Sequence, residues 1–116
     1  MAASTSITAL PLFYSSGLST SAAEIYAGPT TAQRAIVTAI YAVNNSTADA
    51  AATVAHRLTS GGADVNLLPA VNVEANKAIA FGPIVMSSTT SQQSIRAFGG
   101  TAGSIQLAGY GYVETI

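Results

Sequence analysis

His56 is the single histidine of this chain, and the only residue of the type that enzymes most often use as a general base. It follows Val54 and precedes Leu58 at two-residue spacing, so it faces the core or an edge of its strand. A catalytic reading would pair it with Asp49 or Asp64 and a hydroxyl nucleophile. No Gly-x-Ser-x-Gly elbow or other local mark of a nucleophile is present. The expected role of His56 is therefore a hydrogen-bonded structural or interface side chain. The carboxylates Glu24, Asp49, Asp64, Glu74 and Glu114 each sit in or beside a different turn or strand end. Their spacing suggests no acid/base pair, and no Asp-rich loop offers calcium its alternating ligands. With one His and no Cys, a zinc centre has no ligand set. The run Gly99-Gly100-Thr101-Ala102-Gly103 is followed by no Lys and leads into a strand. It lacks the helix N-terminus that makes a phosphate loop work. No secretory signal is visible ahead of the Asn45-Ser46-Thr47 sequon, so the sequon is expected to be coincidental. No catalytic, cofactor-binding or metal residue is assigned, and a non-enzymatic protein is expected.

Composition explains why chemistry is scarce. Charged residues make up 8% of the chain and apolar ones 49%, whereas about 25% charge is usual for a soluble domain. Such a surface aggregates or is covered by other protein. A formal net charge of -1, with Arg34, Arg57, Lys77 and Arg96 far apart in sequence and forming no run, argues against the basic face that nucleic acid requires. No apolar stretch approaches the roughly 18 residues of a membrane-spanning helix, and Met1–Thr5 has no basic residue ahead of an apolar block. Neither nucleic acid nor membrane is expected as a partner. The 116 residues suffice for one domain with one core.

Short apolar runs broken by turn clusters recur along the chain, the pattern of a β-sandwich or barrel. Strands are predicted at 6–14, 23–27, 34–44, 51–59, 69–74, 77–82, 84–87, 93–98 and 103–115. Ala75-Asn76-Lys77 reads as a tight hairpin turn, because Asn tolerates a left-handed conformation. Two stretches, 21–27 and 46–58, also carry helix signals: a capping-box spacing in the first, and an Ala-rich run with Asp49 near its start and Arg57 near its end in the second. Strand is the preferred reading of 46–58, and 21–27 stays open between helix and strand. The expected fold is all-β: a single antiparallel β-sandwich over 21–116, of jelly-roll or immunoglobulin-like type, preceded by an N-terminal arm and linker, 1–20. Its core is predicted from Ile36, Ile40, Val54, Val71, Val73, Ile79, Phe81, Ile84, Ile95, Ile105 and Leu107.

Contact residues are the remaining signal. Alternation puts Ile36 and Ile40 on one face of strand 34–44, and Val37, Tyr41 and Val43 on the other. A strand apolar on both faces is covered on both, here by another subunit. Tyr110 and Tyr112 alternate on the polar face of the last strand with Gly109 and Gly111 between them. Tyrosine suits an interface through its apolar body and polar tip; it would equally suit a carbohydrate platform or packing at a bend. In the arm, Leu10, Leu12, Phe13 and Tyr14 are the apolar anchors. The candidate interface is thus Leu10, Leu12, Phe13, Tyr14, Val37, Tyr41, Tyr110 and Tyr112. A homo-oligomer is expected, as a trimer or ring-related set.

The order of elements carries a resemblance. A long strand ending Val43-Asn44-Asn45 leads to an Ala/Thr-rich strand and to Leu67-Leu68-Pro69. Then come Val71-x-Val73-x-Ala75-Asn76-Lys77, Phe81-Gly82-Pro83-Ile84-Val85-Met86, a strand near Ile95 and the closing Ile105-x-Leu107. Over roughly residues 23–115 this is similar to the small β-sandwich structural proteins of tailed bacteriophage virions, which decorate or cement the head or serve in neck and tail. The resemblance implies no catalytic residue and no cofactor. It implies a place in the virion after assembly in the host cytoplasm. The partners implied are further copies of the chain and other virion structural proteins, such as the major capsid or neck and tail proteins.

Overall fold

A computed structural model describes residues 11–29, 33–59, 62–87 and 92–115. They form nine strands and no helix: β1 (Phe13–Ser15), β2 (Ala23–Tyr26), β3 (Gln33–Asn44), β4 (Ala50–Arg57), β5 (Asp64–Val73), β6 (Ala78–Phe81), β7 (Ile84–Ser87), β8 (Ser94–Gly99) and β9 (Ile105–Thr115). Both stretches with helix signals are extended. β4 pairs on both sides, with β5 and β8, and that ladder outweighs the weak helix preference of an Ala-rich run containing Thr53 and Val54.

Two antiparallel sheets pack as a sandwich. The five-stranded sheet runs β1-β9-β3-β6, with β7 also pairing with β3; the four-stranded sheet runs β2-β8-β4-β5. β6 and β7 share the same side of β3, β7 beside Arg34–Val37 and β6 beside Ile40–Val43. Between them Gly82 adopts φ +125° where the chain passes the β3 bulge. The turn at Ala75-Asn76-Lys77 is tight as expected, with Asn76 at φ +58° and the Lys77 N–H donating to the Glu74 carbonyl at 3.1 Å. It is not a hairpin, however. β5 pairs with β4 and β6 with β3, so this turn carries the chain from one sheet to the other.

The core between the sheets holds Ile40, Val54, Val73, Ile95, Ile105 and Leu107 as predicted, with Ile79, Phe81 and Ile84 packed against it. Ile36 and Val71 lie outside that cluster. The register of β3 explains the first case. Val37 opposes Gly111 and Ala39 opposes Tyr110, so Thr38 is an extra residue, a β-bulge that resets the alternation of the strand. The inward set becomes Ala35, Val37, Ile40, Ala42 and Asn44, and Ile36 turns outward with Ala39, Tyr41 and Val43. Val37, expected at an interface, is fully buried in the chain's own core.

The arm also needs correction. Phe13 is buried in the core, Leu12 packs against it, and β1 is paired with β9. Phe13 stacks on Tyr26 of the opposite sheet, centroids 5.3 Å apart and planes at 15°. The segment expected to be a flexible link is tied to both sheets. Leu18 is buried; its N–H donates to Ile105 O at 2.8 Å, its carbonyl accepts from Gly103 N at 3.0 Å, and Ser19 O accepts from Gly99 N at 2.8 Å. The sandwich therefore includes residues 12–20. Leu10 and the rest of residues 1–10 lie outside the described residues.

Burial raises the pKa of the Tyr26 phenol by desolvating its anion. The folded state then holds that proton more tightly than the unfolded chain. Its contribution is intact below the ordinary tyrosine value of about 10 and is lost as pH rises through the folded value. Denaturation midpoints of the wild type are expected to fall as pH climbs past that value, and Tyr26→Phe should fall less steeply.

Candidate functional site

The residues with catalytic potential are dispersed and structurally engaged. His56 faces inward on β4, beside Ile95 in register. Its Nε2 lies 2.9 Å from Gln93 Oε1, an oxygen that can only accept, so Nε2–H is the donor. The same oxygen accepts from Ser87 N at 3.2 Å, and the pair ties β4 to the ends of β7 and β8. His56→Gln is expected to cost about 0.5–1.5 kcal/mol, the net worth of one such bond, measured by urea denaturation; a loss of assembly with unchanged stability would be inconsistent with this role.

Each carboxylate has its own task. Asp49 accepts from Ala75 N at 3.0 Å and from Asn72 Nδ2 at 3.3 Å. Asp64 accepts from Arg57 Nε at 2.8 Å and lies 3.5 Å from Arg96 Nε. Glu114 pairs with Arg34 across the far end of β9 and β3, and Glu74 lies 3.9 Å from Lys77. Glu24 is exposed opposite Arg96 in the β2–β8 ladder. Among the described residues no three His, Asp or Glu side chains converge as a metal site would require.

What the fold does gather is aromatic. On the outer face of the five-stranded sheet, strand pairing sets Tyr14 of β1 beside Ala108 of β9, Ala108 beside Tyr41 of β3, and Tyr41 beside Ala80 of β6. The next outward row joins Tyr110 to Ala39, and the one beyond joins Tyr112, Ile36 and Val85. Tyr41 and Tyr110 meet edge to face, centroids 5.8 Å apart, a favourable aromatic geometry. Around Ala39 and Ala108, Tyr14, Tyr41 and Tyr110 enclose an open hollow of about 620 Å³, edged also by Thr38, Val43 and Gln106. Thr38 Oγ1–H donates to Tyr110 O at 2.9 Å and so fixes the bulge beneath it. Tyr14, Tyr112 and Val85 are more than half exposed. Among the described strand residues of this face the charges are the mutually paired Arg34 and Glu114 at its end.

Of the eight candidate contact residues, the structure brings together four: Tyr14, Tyr41, Tyr110 and Tyr112 share this face. Leu12, Phe13 and Val37 belong to the interior, and Leu10 is not among the described residues. Sequence reasoning missed Ile36, Ala39, Val85 and Ala108 as parts of the face. The alternation Tyr110-x-Tyr112 signalled the β9 row, but the bulge that turns Ile36 and Ala39 outward leaves no local mark.

Neither a protein-family model nor a curated protein matches the sequence. A solved structure, the Anabaena sensory rhodopsin transducer, superposes with a TM-score of 0.39 at 11% identity, covering 95% of this chain and 100% of that one. A likeness of that size transfers neither topology nor function.

Proposed function

We propose that the protein is a non-enzymatic structural subunit of a bacteriophage particle, decorating or cementing the head or forming part of the neck or tail, and acting through subunit contacts. The observation that carries the assembly part of this reading is the outer face of the five-stranded sheet. It is aromatic, nearly free of charge, and uncovered among the described residues. An exposed apolar patch of this kind marks a contact with other protein. The particle part rests on the order of elements over residues 23–115, which resembles that of the virion sandwich proteins. Sedimentation velocity tests the assembly part: an oligomer is expected at micromolar concentration, and a stable monomer would count against it. Fractionation of particles from infected cells tests the rest, since the chain should travel with the virion.

The hollow favours one further reading. Three tyrosines with Thr38 and Gln106 at their edge form the kind of apolar platform with a few polar groups that holds a small ligand, and a carbohydrate fits that chemistry. This reading requires a monomer that binds glycans, with binding lost in Tyr41→Ala.

A further inference from the structure

We infer that the outer face of the five-stranded sheet docks a second copy of this same chain, face to face about a two-fold axis perpendicular to β9. The inference rests on the assembly reading above and names its partner. Two outward rows of side chains carry it. One row is Tyr112, Ile36 and Val85; the other is Ala108, Tyr41 and Ala80. Position by position across β9, β3 and the β6/β7 side, Tyr112 matches Ala108, Ile36 matches Tyr41, and Val85 matches Ala80. Large side chains in one row thus correspond to alanines in the other at both flanks.

The two rows are separated by four residues of β9, about 13 Å at the usual rise. A two-fold axis midway between them, near Tyr110, lays each row of one copy over the other row of its partner. Tyr112 then enters the partner's hollow above Ala108, and the partner's Tyr112 does the same in return. That is the self-complementarity an isologous contact requires. Two sheet faces that meet in this way pack aligned at about 10 Å.

Area and charge agree with this occupant. β9 has eleven residues, so it spans about 37 Å, and the three strands abreast add about 14 Å of width. Together with β1 this gives about 500–600 Å² per copy. The total for two copies is about 1,000–1,200 Å², the lower bound for a specific interface. The Arg34–Glu114 pair lies at the end of the face and leaves its centre free of desolvation cost. A pairing of this kind yields a dimer, or joins two rings back to back.

The chain has no cysteine, which permits a direct test. Ala80→Cys and Val85→Cys chains, which the same axis places opposite each other, are purified separately, mixed, and treated with a short bis-maleimide matched to the ~10 Å spacing of packed sheets. Both positions are on the surface, and circular dichroism checks that each variant keeps its β signal. The expected result is a covalent dimer in the mixture and far less in either variant alone. In the unlabelled protein, Tyr112→Ala should weaken dimerisation on the order of tenfold, as loss of an aromatic anchor does. If the wild type self-associates but the mixture gives no more dimer than the single variants, the contact lies elsewhere; the inference is overturned and the assembly reading stands. If the wild type is a monomer with no cross-linking, both are overturned. A monomer whose outer-face tyrosines are nonetheless protected would mean that segment 1–10 covers the face in the same chain, which also overturns the inference.

Discussion

Asn44→Ala is expected to destabilise the fold by about 3 kcal/mol, a large part of the 5–15 kcal/mol that holds a domain of ordinary stability together. Asn44 is fully buried at the end of β3, and every polar atom of its side chain is used. Nδ2 donates to Ala48 O at 2.8 Å and to Val73 O at 2.9 Å. Oδ1 accepts from Ser46 N at 2.9 Å and from Ser46 Oγ at 2.7 Å. One side chain thus closes the β3–β4 turn and links it to the end of β5. Each bond contributes about 0.5–1.5 kcal/mol net, and truncation adds the cost of buried groups left without partners. Asn44→Asp should be at least as damaging, because it exchanges two donors for a buried negative charge facing two carbonyls. Ser46→Ala, which removes one hydroxyl from a half-buried position, should cost about 1 kcal/mol. Urea denaturation at a fixed protein concentration reads all three; a loss below about 1 kcal/mol for Asn44→Ala would contradict the assignment.

Leu18→Ala is expected to cost about 3 kcal/mol as well, within the range for truncating a leucine in a packed core. Leu18 is 1% exposed, and its backbone joins the start of β9 to the segment entering β2. A residue in a flexible linker would cost a few tenths of a kcal/mol at most. Denaturation midpoints therefore separate a sandwich that begins at β1 from one that begins after residue 20. Deleting residues 1–14 removes Phe13 and its stack on Tyr26 along with anything upstream, so it reports on the fold before it reports on any partner.

These two residues show what could be read from the sequence and what could not. Most strands were visible as apolar runs between turn clusters, because period-two alternation and turn chemistry are local properties. The exceptions are 21–27, left open between helix and strand, and β5, which begins at Asp64 rather than at 69. The core positions of β8 and the first half of β9 followed from the same alternation. The β3 bulge did not, since an extra residue at Thr38 depends on its pairing with Tyr110 and Gly111 rather than on residue type. That single slip moved Val37 inward and Ile36 outward. Pairing partners were equally hidden. Asn76 announced a turn, but nothing near it says whether the strands on either side join the same sheet. Leu18 sits among Ser, Thr and Gly, and only contacts with distant β8 and β9 make it part of the core. Asn44 reads as ordinary turn material until its burial is known. For the candidate face, the tyrosines of β9 were legible from spacing. Their meeting with Tyr14 and Tyr41 required the sheet order.

The central claim is that the aromatic outer face of the five-stranded sheet is covered by other protein in the functional state. Hydroxyl-radical footprinting, read by mass spectrometry on the assembled protein and on the protein diluted to monomer, tests it residue by residue. Tyr14, Tyr41, Tyr110 and Tyr112 are expected to lose reactivity together on assembly, while Leu58 and Val65, exposed on the other sheet's side of the molecule, keep theirs. Unchanged reactivity at the four tyrosines in the assembled protein, with protection at Leu58 and Val65 instead, would contradict it.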